Sequence, residues 1–155
     1  MPDSPRTIVG QFSTSGGKSL VRAVNVRAVE PAAELPEHER GKLYMLVEVT
    51  GAEAGHAALY RQMLNAAQTA FYDGGDSQAT ALTRAVRNAH SVLVNANQAL
   101  AASWRAGITL AALDGWSLTI AQAGPALCLV SHPKTVEQFP GDVSAWTQPF
   151  GGSER

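Results

Sequence analysis

The sequence predicts an α+β domain in which one long antiparallel helix pair packs on a mainly antiparallel sheet. Three observations predict it. Residues 107–130, GITLAALDGWSLTIAQAGPALCLV, read as three consecutive antiparallel strands. Two long stretches of helical periodicity, parted by Gly74-Gly75, come immediately before them. Valine-rich strand patterns come before the helices. The order is strands, helix pair, strands, and so apolar a meander needs a second layer to cover it.

Taken in order, residues 7–12 predict a short strand closed by the turn-rich Ser13-Thr14-Ser15-Gly16-Gly17. Residues 20–29 predict a better strand, and residues 30–41 a charged connection containing Pro31 and Pro36. Residues 43–49, LYMLVEV, are apolar on both faces apart from Glu48, the pattern of an interior strand covered on both sides. Thr50-Gly51 ends it. From residue 53 to 72, Tyr60, Met63, Leu64, Ala67, Ala70 and Phe71 fall on one helical stripe. Gly74-Gly75 stops that helix, and Asp76 or Ser77 caps the next.

The second helix is predicted to run to about Trp104. Leu82, Val86, Ala89, Leu93, Ala96 and Leu100 form its stripe, while Arg84, Arg87, Asn88, Ser91, Asn95 and Gln98 lie off it. Two long helices with a short break pack as an antiparallel hairpin. Residues 108–113 then form a strand, and Asp114-Gly115 tolerates the positive φ of a two-residue hairpin turn. Beyond it Trp116, Leu118 and Ile120 point one way, and Ser117, Thr119 and Ala121 the other. Gly124-Pro125 breaks that strand, residues 126–130 resume it, and residues 135–139 add another. Trp104 and Trp116 read as core or core-edge aromatics. The domain is expected to span residues 1–139, with 140–155 an irregular tail whose Trp146 and Phe150 pack back on the body.

Composition narrows function by exclusion. A net charge of -1 and a charged fraction of 16% give no electrostatic argument for nucleic acid or an anionic membrane. No apolar run reaches membrane-spanning length, and MPDSPRTIVG lacks the plan of a signal peptide, so the expected location is cytoplasmic. Cys128, the single cysteine, reads as a small buried hydrophobe. Gly16-Gly17-Lys18-Ser19 resembles the end of a phosphate-binding loop, but Phe12 stands where the first glycine belongs and a strand follows where a helix is needed. A plain turn is the better reading. His38, His56, His90 and His132 show no metal-ligand spacing, and no GxSxG elbow is present. Asp73, Asp76 and Asp114 sit at turns or caps, where aspartate serves the backbone.

Several strings nonetheless fall in a telling order: Arg22-Ala23-Val24-Asn25, then Leu46-Val47-Glu48-Val49-Thr50-Gly51, the helix pair, Ala106-Gly107-Ile108-Thr109-Leu110, and Ala121-Gln122-Ala123-Gly124-Pro125-Ala126. Over about residues 7–139 the chain thereby resembles the metal-dependent protein phosphatases of type 2C. The resemblance implies the N-terminal part of a phosphatase-2C-like β-sandwich. It also implies a site for two divalent cations, magnesium or manganese, whose bound water attacks a phosphoryl group. The chain departs from the family where that chemistry resides. Val26 and Arg27 replace a Glu-Asp pair, Thr50 replaces the aspartate of Asp-Gly while Gly51 is kept, and Pro125-Ala126 replaces Asp-Ser.

Val26 cannot bind a hard cation and Arg27 would repel one. Arg22 keeps the family's phosphate-contacting position. The resemblance therefore leads to an expectation of no catalytic residue, no metal and no cofactor. The leading function is an inactive phosphatase-like module that binds a protein partner or itself, most simply as a homodimer. An active metal-dependent serine/threonine phosphatase using Glu48, Glu53 or Asp114, or a small-ligand binder in the vacated cleft, are the alternatives. Arg27 is expected to pair with Glu48 or Glu53.

Overall fold

The computed structural model describes residues 5–15, 18–19, 21–51 and 55–142. Among the described residues, eight strands and two α-helices follow one another: β1 (Thr14–Ser15), β2 (Lys18–Ser19), β3 (Val26–Val29), β4 (Lys42–Thr50), α1 (His56–Tyr72), α2 (Gln78–Leu100), β5 (Arg105–Asp114), β6 (Ser117–Ala123), β7 (Cys128–His132) and β8 (Thr135–Phe139). The order strands, helix pair, strands is the expected one. A four-stranded antiparallel sheet, β3-β4-β5-β6, carries the fold, and β1-β2 and β7-β8 are separate two-stranded ribbons.

Side-chain parity along β4 decides the packing. Leu43, Met45, Val47 and Val49 are buried, whereas Tyr44 and Leu46 are half-buried and Glu48 is exposed. Opposite the buried set, Ala106, Ile108, Leu110 and Ala112 of β5 point the same way. Both helices cover that face with Leu59, Met63, Leu64, Ala67, Phe71, Leu82, Ala85, Ala89 and Leu93. Among the described residues no buried position is polar or charged. The strand expected to be covered on both faces is thus fully buried on one and half-covered on the other.

The helix pair is locked at its closed end by two arginines. Arg84 lies off the apolar stripe of α2 and donates to the carbonyls of Ala70 and Asp73 and to the Asp76 carboxylate. Arg40 donates to the Phe71 and Asp76 carbonyls and stands over the Phe71 ring. Their bonds to Ala70 and Phe71 satisfy carbonyls that the last turn of α1 leaves without partners. Ser77, not Asp76, caps α2 by accepting from the Thr80 amide. Glu53 lies outside the described residues, and α1 begins at His56 after Gly55.

Several expectations are corrected. Residues 7–12 form no strand; they run irregularly beside the open face of the sheet. The turn-rich stretch after them holds β1 and β2 instead, with Gly16-Gly17 outside the described residues. Of the described residues 21–29 only Val26–Val29 is strand, because residues 21–25 run irregularly and only Asn25 reaches β4, its carbonyl accepting from the Val47 amide. The meander has two strands rather than three: β7 pairs with β8, not with β6. Trp104 is core, but Trp116 sits at the β5–β6 turn and is 77% exposed. Trp146 and Phe150 lie outside the described residues.

Removing Phe71 should show which surface carries the stability. Phe71→Ala deletes a ring buried between the helices and the sheet and is expected to cost about 3–5 kcal/mol in urea unfolding. Trp116→Ala should stay within about 0.5 kcal/mol of wild type in the same measurement.

Candidate functional site

The C-terminal end of β4 gathers the polar groups. The sheet register places Asn25 and β3 on one side of Leu46 and Val47, and Gly107 of β5 opposite Glu48 on the other. A cleft of about 620 Å³ opens there, lined by Phe12, Asn25, Glu48, Thr50, His56 and Tyr60 among others. A smaller one of about 330 Å³ lies against Glu48, Gly107, Pro125 and Leu127. Glu48 belongs to both, so its carboxylate stands on the ridge between them.

Trp104 shapes this corner. The Asn97 side chain brackets its backbone, donating to the Trp104 carbonyl at 2.8 Å and accepting from its amide at 3.0 Å. The indole lies where a side chain on Gly51 would come within 2.9 Å of its Cδ1 atom, and φ at Gly51 is +124°. Glycine there is required by packing and backbone alike. His56 meets both Tyr60 and Trp104 edge-on with ring centroids 6.0 Å apart. Its Nε2 atom is buried without a hydrogen-bond partner. The Tyr60 hydroxyl accepts from the Val49 amide at 3.2 Å. On the other flank, a Cβ on Gly107 would fall 2.5 Å from the Pro125 carbonyl oxygen, so this glycine admits the chain that follows β6.

The structure brings some of the sequence-derived positions together and separates others. Thr50 lines the large cleft and Pro125 the small one; Val26 lies beside Leu46 on the same open face of the sheet. Arg27 does not join them. Its register partner is Met45, so it faces the helices, where it donates to Asn65 at 2.6 Å and Gln68 at 3.0 Å. That corrects the expected pairing with Glu48, which differs from Met45 in parity and points to the opposite face; the other expected partner, Glu53, lies outside the described residues. Arg22 lies in the bend before β3, exposed, rather than on a strand. Asp114 ends β5 far from Glu48. Seven steps of extended chain separate it from Gly107, about 24 Å at ~3.4 Å per residue.

The described donors do not fit a pair of divalent cations. Hard cations take six or more oxygens, largely from carboxylates. At the end of β4 the described oxygen groups are one carboxylate, from Glu48, the Asn25 amide and the hydroxyls of Ser13, Thr14, Thr50 and Tyr60, while Val26 offers only carbon. Among the described residues no group of three or more His, Cys, Asp or Glu is placed to hold a metal ion. His56 and Trp104 had no distinctive spacing in the sequence, whereas Asn25 stood in the Arg22-Ala23-Val24-Asn25 string. Glu48 did have a signal, as the one charge in an apolar strand.

A second polar cluster holds residues 5–10 against the open face. Thr7 donates to Glu30 at 2.7 Å, Tyr44 donates to the same carboxylate oxygen at 2.9 Å, and Lys42 donates to Thr7 at 2.8 Å. The Thr7 hydroxyl, then the Tyr44 phenol and the Lys42 charge, hold the Glu30 carboxyl below the usual carboxylate range. Burial pushes the Tyr44 and Cys128 groups up.

A search of solved structures matches the crystal structure of the Mycobacterium tuberculosis serine/threonine phosphatase PstP/Ppp, over 94% of this chain and 69% of that one, with a TM-score of 0.62 and 16% sequence identity. No protein-family model matches the chain, and no curated protein matches it. At that identity the likeness concerns the fold, and it agrees with the architecture above: two helices packed on an antiparallel sheet, an α+β fold like part of a phosphatase-2C domain.

The Glu30 cluster yields a pH dependence of known sign. A carboxyl whose folded pKa is depressed adds stability above its unfolded pKa, about 4.3 for glutamate, and loses it as pH falls through the folded value. Glu30→Gln should melt below wild type at pH 7, and the gap should close progressively below about pH 4. A gap that is constant with pH would mean the carboxylate charge is not what the cluster uses.

Proposed function

We propose that this chain is a catalytically inactive phosphatase-2C-like module that acts by associating with a protein partner or with itself. One observation supports the reading: the positions that the resemblance equates with metal ligands carry an alkyl group at Val26, a neutral hydroxyl at Thr50 and a proline at Pro125, and the carboxylate nearest them along the sheet is that of Glu48. The scaffold persists, with its buried face intact, while the donors that would activate a water are replaced. Val26, Thr50, Gly51 and Pro125 are then vacated ligand positions. Arg27 is a structural cation serving α1, and Arg22 remains as a surface arginine at a phosphate-contacting position. No metal or cofactor belongs to this reading. Association draws support from the half-covered open face and from exposed apolar side chains on it and on the ribbons, among them Leu118, Leu129 and Val136. Among the described residues no helix is long and apolar enough to cross a membrane. A cytoplasmic location completes the proposal.

A second reading draws on the cleft itself. About 620 Å³ with an amide, a carboxylate, a hydroxyl and an imidazole on its walls is within the range of small-molecule sites. An active phosphatase is the third, and the distance between Glu48 and Asp114 weighs against that ligand pair.

Aryl phosphate hydrolysis with millimolar manganese, alongside thermal unfolding with manganese and with chelator, tests the proposal. No turnover and an unchanged melting temperature are expected, because a cation that bound only the folded state would raise it by mass action. Turnover abolished by Glu48→Ala, or a rise of several degrees with manganese, would overturn it.

A further inference from the structure

The four-stranded sheet ends in two unlike edges. The β3 edge is four residues long and carries Arg27, whose side chain is engaged with α1. A short, charged edge is poorly suited to pairing with another chain. The β6 edge is seven residues long, Ser117–Ala123, with neither a charge nor a proline. Its only strand neighbour among the described residues is β5, and no described hydrogen bond from another segment reaches its backbone. Native sheets normally shield an edge of this kind.

We propose that β6 pairs antiparallel with β6 of a second copy of this chain, about a two-fold axis at Ile120, joining two sheets into one of eight strands. This deepens the association reading above and rests on it. Only a two-fold at Ile120 pairs all seven residues: Ser117 opposite the partner's Ala123, Leu118 opposite the partner's Gln122, Thr119 opposite the partner's Ala121, and Ile120 opposite the partner's Ile120. Directly opposed residues share a face, and this register keeps parity. Leu118 and Ile120 align with Leu113 and Ala111 of β5 and face the open side; Thr119 and Ala121 align with Ala112 and Leu110 and face the helices.

Self-pairing suits this strand because no like charges meet across the axis. It also gives Trp116 a neighbour. The next position outward sets Trp116, 77% exposed in the single chain, opposite the partner's Gly124, where no side chain obstructs the indole. The closed two-fold leaves no further long edge to propagate, since β3 remains at both ends of the joined sheet.

Cysteine pairing reads the register directly. In a Cys128→Ala background, Ile120→Cys is expected to cross-link to itself under mild oxidation. Leu118→Cys alone should not, but mixed with Gln122→Cys it should. Light scattering coupled to gel filtration at micromolar concentration should give about twice 16.3 kDa for wild type and for Ile120→Thr, and a monomer for Ile120→Lys, with unchanged circular dichroism. If Ile120→Lys fails to fold, the cysteine pairs still decide. A monomeric wild type, or a dimer that cross-links through Leu129→Cys or Val136→Cys on the β7–β8 ribbon and not through Ile120→Cys, overturns the edge pairing. A monomer without manganese-dependent hydrolysis overturns the pairing alone; hydrolysis overturns the module reading beneath it.

Discussion

Everything in this chain depends on the alternation of β4. Leu43, Met45, Val47 and Val49 go under the helices with almost no exposed surface, and that single choice sends Tyr44, Leu46 and Glu48 to the other side. The register with β5 and β3 then carries the same division across the sheet. Because side chains in a strand repeat every two residues, no member of the buried set can move without moving all of them. The helix pair is held to this face by apolar contact, and its closed end by the guanidinium groups of Arg40 and Arg84.

The open face follows from the same division. In the phosphatase-2C-like arrangement a second sheet belongs over it. Here residues 5–10 lie along part of it, tied down through Thr7, Glu30, Lys42 and Tyr44, and the β7–β8 ribbon stands apart with nearly all its residues exposed. A two-stranded ribbon has little stability of its own in water. The side of the sheet that bears the cleft at the end of β4 is therefore also the least covered.

At the corner where β4 ends, packing accounts for the residues that the sequence singled out. Gly51 survives beside Thr50, but its conformation is explained by the Trp104 indole rather than by any ligand. Gly107 survives because the Pro125 carbonyl passes within reach of where a Cβ would be. Arg27, read in sequence as a charge in a vacated site, belongs to the opposite face and braces β3 against α1. These residues would look like remnants of a site on spacing alone; their neighbours give each a structural purpose.

The sequence by itself determined the two helices, the β5–β6 hairpin and the α+β class, because each rests on local periodicity and turn chemistry: the stripe from Met63 to Phe71, the Gly74-Gly75 break before a cap at Asp76 or Ser77, and Asp114-Gly115. Only the tertiary structure decided which face each strand residue takes, since parity shows that neighbours differ but not which one is buried. That decision moved Arg27 away from Glu48, exposed Trp116, denied residues 7–12 a strand partner and joined β7 to β8. Long-range pairing is set by which edges find hydrogen-bond partners, and no local pattern in β6 or β7 records that choice.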